Sequence, residues 1–123
     1  RGVGVQVCDL AVTDIGKLAI ALVDAATIVL GGSTVMTAPH PVALYATVLV
    51  NALRPPKLKH FALIGSYLWG TKAVETVAGL LTNVKAEILD PVYIKGLPRP
   101  ADYAALDRLA DAIAQRHQAA GLR

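Results

Sequence analysis

A chain of 123 residues has room for one ordinary domain, and 54% apolar against 17% charged residues excludes a disordered polymer. Twelve basic against nine acidic side chains leave a formal charge of +3, and Lys17, Lys57, Lys59, Lys72, Lys85 and Lys95 are scattered, so no nucleic-acid-binding stripe is expected. A single cysteine, Cys8, excludes an internal disulfide and a paired-cysteine metal or redox motif, and such sparing use fits a reducing, cytoplasmic compartment.

The chain begins Val3-Gly-Val-Gln-Val-Cys8, an alternating, β-rich stretch that reads as a strand with Cys8 as a small core residue. Thr13 or Asp14 then caps a helix to about Val23, with Ile15, Leu18, Ala19 and Leu22 on one face. Ala26-Thr-Ile-Val-Leu30 is a continuous apolar run, the pattern of a strand covered on both faces of a parallel sheet, and Gly31-Gly32 ends it in a Ser/Thr-rich loop. Pro41 starts a helix that Arg54-Pro55-Pro56 stops after Leu53. This helix carries no charged side chain, and Val42, Leu44, Tyr45, Val48, Leu49 and Val50 ring its circumference, which predicts a subunit or domain interface along part of it.

Phe61-Ala-Leu-Ile-Gly65 repeats the buried-strand signature. A helix from about Thr71 to Leu81, a strand from Val84 to Leu89 and an amphipathic helix from Ala101 to about His117 complete the order. Strand and helix alternate four times, which predicts an α/β fold with an open parallel sheet between helices on both faces. The uncharged span Ala25–Leu53 is divided by Gly31-Gly32 and Pro39-His40-Pro41 into pieces too short to cross a bilayer, so no membrane partner is expected. The first residue is Arg1 rather than Met, as in a piece of a longer polypeptide.

In open parallel sheets the ligand crevice lies outside the carboxyl ends of the strands. The two loops expected there, Gly31–Pro41 and Gly65–Lys72, combine glycines, hydroxyls and apolar or aromatic surface, a mixture suited to a flat, polar-edged ring. Tyr67 and Trp69 offer faces for stacking, and Ser33 and Thr34 offer hydroxyls to a ring edge. No carboxylate cluster, His/Cys metal spacing or Ser-His-Asp arrangement falls in these loops, so any chemistry here belongs to a cofactor. His40 sits between two prolines at a helix start, in position to approach a ligand or to stand exposed; His60 reads as a surface residue, His117 as a residue near the fraying end of the last helix, where its cationic form suits the dipole, and neither as a metal ligand.

These loops resemble those of the C-terminal flavodoxin-like domain of flavodiiron proteins, the A-type flavoproteins. A family loop of the kind Gly-Ser-Pro-Thr-x-Asn-Asn followed by Pro is matched by Gly31-Gly32-Ser33-Thr34-Val35-Met36-Thr37 and then Pro41. The segment Phe-Gly-Ser/Ala-Tyr-Gly-Trp-Gly-Gly is matched by Ile64-Gly65-Ser66-Tyr67-Leu68-Trp69-Gly70-Thr71, and Leu53-Arg54-Pro55 between them recurs as well. The resemblance covers nearly the whole sequence. Met36-Thr37 stands where an Asn pair is common, and Leu68 where a Gly is common.

The resemblance implies a flavodoxin-like three-layer α/β/α sheet binding FMN through Ser33, Thr34, Val35, Met36, Thr37, Ser66, Tyr67, Leu68, Trp69 and Gly70. It also implies an electron-transfer role in an oxidoreductase. Electrons come from a donor such as rubredoxin or a flavin reductase and pass through the flavin to a diiron site in another domain, where oxygen or nitric oxide is reduced, within a homodimer. Flavodoxin-like domains open with a strand and a phosphate-binding loop, and neither precedes Val3 here. Residues 1–123 therefore read as a partial, N-terminally truncated domain that binds FMN weakly by itself and is not a complete catalyst. A flavodoxin-like quinone reductase and a flavin-free scaffolding or oligomerisation module are the alternative classes.

Overall fold

A computed structural model describes residues 2–35, 38–67 and 72–121. Helix α1 spans Ile15–Val23 and is capped by Asp14, whose carboxylate accepts from the Gly16 amide at 3.0 Å. Strand β1 (Thr27–Val35) follows, then a two-residue strand β2 (Ala38–Pro39) and helix α2 (Pro41–Leu53). Arg54 ends α2 in a left-handed conformation, φ 47°, before the two prolines that cannot continue it. Strand β3 (His60–Tyr67), helix α3 (Ala73–Leu80), strands β4 (Glu87–Ile88) and β5 (Val92–Lys95) and helix α4 (Pro100–Ala119) complete the described elements.

Among the described residues the strands form one sheet in the order β2-β1-β3-β4, with β5 also on β3. β1, β3, β4 and β5 are parallel, and β2 is an antiparallel turn-back onto the end of β1. Phe61 and Leu63 point to one face, each only 1% exposed, and join Leu18, Leu22, Val50 and Val77 of α1, α2 and α3 in the main core. Each such side chain contributes about 1.5–3 kcal/mol by leaving water. Ala62 and Ile64 alternate to the other face and meet Leu109 and Ile113 of α4. The expected α/β architecture with helices on both faces is present. Among the described residues no helix is long and apolar enough to cross a membrane.

Three details depart from the sequence expectation. Residues 3–8 form no strand: Val5 and Val7 are 80% and 87% exposed, and among the described residues no backbone pairs with them. Alternation alone cannot hold a strand that lacks a ladder partner. Second, β1 runs past Gly31-Gly32 to Val35 instead of turning into a loop, because β3 pairs with it in register as far as Ser33↔Ser66. Third, the strand expected at Val84–Leu89 is two short pieces. Glu87–Ile88 pairs with His60–Phe61, and Val92–Lys95 pairs with Ile64–Tyr67, the break falling at Asp90-Pro91, where proline has no amide to donate.

Candidate functional site

The carboxyl ends of β1 and β3 lie side by side, with Gly32 opposite Gly65, Ser33 opposite Ser66, and Tyr67 beyond them. Adjacent strands stand about 4.8 Å apart, so the two serine-bearing strand ends form one short shelf. Close approach at its base depends on Gly65. A Cβ there would collide with the Gly32 carbonyl oxygen and reach within 2.7 Å of the Tyr93 ring. Tyr93, opposite Gly65 on β5, extends the shelf on its far side; burial pushes its phenol pKa up, which keeps it protonated. Gly96 donates its amide to the Tyr67 carbonyl at 2.8 Å, fixing the backbone at the outer end.

Ser33 is exposed, and Thr34, Ser66 and Tyr67, at the same strand ends, are half-buried. They sit on strand ends, not in the loops the sequence suggested. Val35 ends β1. Met36, Thr37, Leu68, Trp69 and Gly70 lie outside the described residues.

His40 is not a free side chain: its Nδ1 accepts from the Val42 amide at 3.1 Å and caps α2, while its own amide donates to the Ser33 carbonyl at 3.1 Å. It thereby ties the start of α2 to the end of β1. The sequence carried a usable signal here, a polar side chain directly before a proline at the first helical position.

Of the other two histidines, His60 corrects the surface expectation, and His117 at the helix end is buried. His117 is only 6% exposed, and its Nε2 shares a hydrogen bond of 2.6 Å with the Thr27 hydroxyl, joining the end of α4 to the start of β1. The His60 side chain is 13% exposed and its Nδ1 lies 3.9 Å from Glu87, which Arg116 holds through Nη2 and Nε at 2.7 and 2.9 Å. Burial lowers the His60 pKa most, against the opposing pull of Glu87 and with help from Arg116, His117 and Lys59. The Arg116 hydrogen bond lowers that of Glu87. This cluster stands at the amino-terminal edge of the sheet, the opposite end from the shelf, and no group of His, Cys, Asp and Glu suited to a metal ion occurs among the described residues.

The shelf fits the polar edge of a flat ring system: hydroxyls from two adjacent strands stand over a glycine-lined base. Among the described residues, two helix starts have amides already taken. The first turn of α1 already receives a carboxylate from Asp14, and the Val42 amide of α2 is taken by His40.

The solved structures similar to this chain include the rubredoxin:oxygen oxidoreductase of the anaerobe Desulfovibrio gigas, with 27% sequence identity and a TM-score of 0.69. The match covers 78% of this chain and 24% of that one, so the chain spans about a quarter of the length of that relative. A flavodoxin-like domain from a Synechococcus sp. protein matches with 26% identity and a TM-score of 0.64, over 85% of this chain and 71% of the other. No protein-family model matches the chain. No curated protein matches it either.

Proposed function

The chain is a flavodoxin-like domain similar to that of flavodiiron proteins, and we propose that the shelf at the ends of β1 and β3 binds the ring of FMN for electron transfer within an oxidoreductase. The observation that carries this reading is the register Gly32↔Gly65 and Ser33↔Ser66, which brings two distant, hydroxyl-bearing segments to one sheet edge. Ser33, Thr34 and Ser66 hydrogen-bond the ring edge, and Tyr67 offers its face. Bound there, the flavin supplies reversible electron transfer. The sequence resemblance adds Val35, Met36, Thr37, Leu68, Trp69 and Gly70 to the residues proposed for FMN, all but Val35 lying outside the described residues.

In the whole protein, a flavin held by these residues would supply electrons to a diiron site in another domain for the reduction of oxygen or nitric oxide, in the cytoplasm. The name of the Desulfovibrio relative, which joins rubredoxin to oxygen, supports an electron donor of the rubredoxin kind. A homodimer is the working assembly, and α2 supplies part of its interface: Tyr45 and Val48, one helical turn apart, are 44% and 54% exposed.

Because the described residues offer a ring site without a phosphate nest, the chain alone binds FMN weakly. Titrating the purified chain with FMN and following flavin fluorescence tests this. A dissociation constant well above about 1 µM is expected, and sub-micromolar binding contradicts the weak-binding claim.

A further inference from the structure

Helix α4 is held to the sheet by a small apolar patch and by polar groups at its carboxyl-terminal end. In the patch, Leu109 and Ile113 meet Ala62, Ile64, Leu89 and Val92, and only Ala62, Leu89 and Leu109 are fully buried. The opposite face of the sheet is covered by the much larger core of α1, α2 and α3. Strand register sets the polar contacts: Thr27 on β1 stands opposite His60 on β3, which stands opposite Glu87 on β4. These three make one row across the amino-terminal edge of the sheet, and the last turn of α4 sits on it. His117 shares its Nε2 with the Thr27 hydroxyl at one end of the row, and Arg116 grips Glu87 through Nε and Nη2 at the other.

Two imidazoles are thereby packed into one layer between helix and sheet. His117 is 6% exposed and the His60 side chain 13%, and neither Nδ1 has a hydrogen-bond partner among the described residues. A neutral imidazole keeps one donor and one acceptor, whereas the cation has two donors and a full charge. From either tautomer, a His117 cation holds a buried Nδ1–H with no acceptor among the described residues. The carbonyl end of α4 attracts a cation there, but solvent screens that pull and it gives Nδ1 no acceptor. At His60 the carboxylate of Glu87 lies 3.9 Å away, beyond hydrogen-bond reach, and is already engaged by Arg116. The other charges acting on His60 are unfavourable to a cation: Arg116 and His117 from α4, and Lys59 at the entry of β3. Lys57, near the same edge, is paired with Asp24 at 3.1 Å.

We propose that α4 is an acid-released latch: protonation of His60 and His117 frees its carboxyl-terminal half, residues 109–119, from the sheet while the core of α1, α2 and α3 stays packed. With both rings neutral and Glu87 ionised, the row fastens the helix. A proton on either ring loads the row with positive charge that Glu87 alone must balance, and lifting the helix end lets water hydrate the rings. Burial holds the His60 pKa below 6.5, so the released state takes up the proton more readily than the docked one, and opening grows as pH falls below 6.5. Release uncovers Ala62, Ile64, Leu89 and Val92, an apolar strip of the sheet.

Amide hydrogen exchange of the whole chain, corrected for the pH dependence of the intrinsic rate, tests the latch. Residues 109–119 are expected to open as a unit, at least about tenfold more often than α2 and α3 at any one pH. Their opening is expected to rise at least about tenfold between about pH 7 and about pH 5. The double variant His60→Gln with His117→Gln keeps polar groups at both positions but takes up no proton, and should cut that rise to less than about twofold. Ile113→Val trims the apolar patch alone and should raise opening by one factor at both pH values; a factor that changes with pH would tie the rise to packing and overturn the latch. Exchange of residues 109–119 in step with α2 and α3 also overturns it, since no separate release then occurs. So does a rise that survives in the double variant. In the unmodified chain, a rise that begins only below about pH 4.5 overturns it too, because Glu87 and not an imidazole then takes the proton. No flavin enters the measurement, so its outcome is independent of the flavin site.

Discussion

Gly65 meets the Gly32 carbonyl so closely that neither strand end could keep its place if Gly65 carried a side chain. Replacement by alanine drives a methyl group into backbone on one side and the Tyr93 ring on the other. Gly65→Ala should therefore cost at least about 1–3 kcal/mol and splay the serine shelf. Urea unfolding measures the first effect, and flavin affinity the second. Gly79, where an added Cβ meets nothing within 4 Å, is the contrasting site. Gly79→Ala lies inside α3 and should stabilise by about 0.4–1 kcal/mol.

The hydrogen bond between Thr27 and His117 is the polar contact joining the last helix to the first long strand. Thr27→Val keeps the shape and strands the buried imidazole nitrogen, while Nδ1 of the same ring has no hydrogen-bond partner among the described residues. A loss of about 1–3 kcal/mol is expected. Denaturant titration checks it, and Thr27→Ser, which keeps the hydroxyl, should recover most of the loss.

Acid should weaken the fold in two stages. His60 has a folded-state pKa below its ordinary 6.5, so in the window just below 6.5 the unfolded chain binds more protons than the folded one, and stability falls as pH drops through it. Glu87 is depressed below 4.5 by Arg116, so its contribution is present above 4.5 and disappears as pH falls further, through its folded-state value. Thermal midpoints measured across the acid range should show both declines. His60→Gln should flatten the upper one, and Arg116→Met the lower one.

The exposed stripe of Tyr45 and Val48 on α2 gives a test of assembly. In the whole protein Val48→Glu should convert a dimer to monomers in sedimentation while changing the stability of the domain by no more than about 0.5 kcal/mol, as surface substitutions do. Unchanged sedimentation would remove α2 from the interface.

Local signals made the helices legible in the sequence. Asp14 before an apolar-periodic run, Pro41 at a first helical position and Arg54-Pro55 at an end each act within one turn of chain, and the structure uses all three. The apolar runs ending at Leu30 and Gly65 were equally plain, because a strand covered on both faces has no polar positions to offer. What failed depended on partners. Val3–Cys8 has strand chemistry and no neighbour to pair with; Gly31–Val35 has loop chemistry and a neighbour, β3, that extends it. Val92–Lys95 was missed because Asp90-Pro91 resembles a terminus, although β3 holds the chain on both sides of that break. His117 read as part of a fraying helix end, and it is buried where Thr27 receives it. The candidate site shows the same division: its residue types were readable, whereas the opposition of Ser33 and Ser66 is a matter of register between segments far apart in the chain.

The most direct test of the flavin assignment is a nuclear magnetic resonance titration of the chain with FMN, read residue by residue. Chemical-shift changes should concentrate at Ser33, Thr34, Ser66 and Tyr67 and leave the distant cluster of His60, Glu87 and Arg116 unmoved, even if affinity is weak. No change at the strand ends at flavin concentrations up to about millimolar, or changes centred elsewhere, would contradict it.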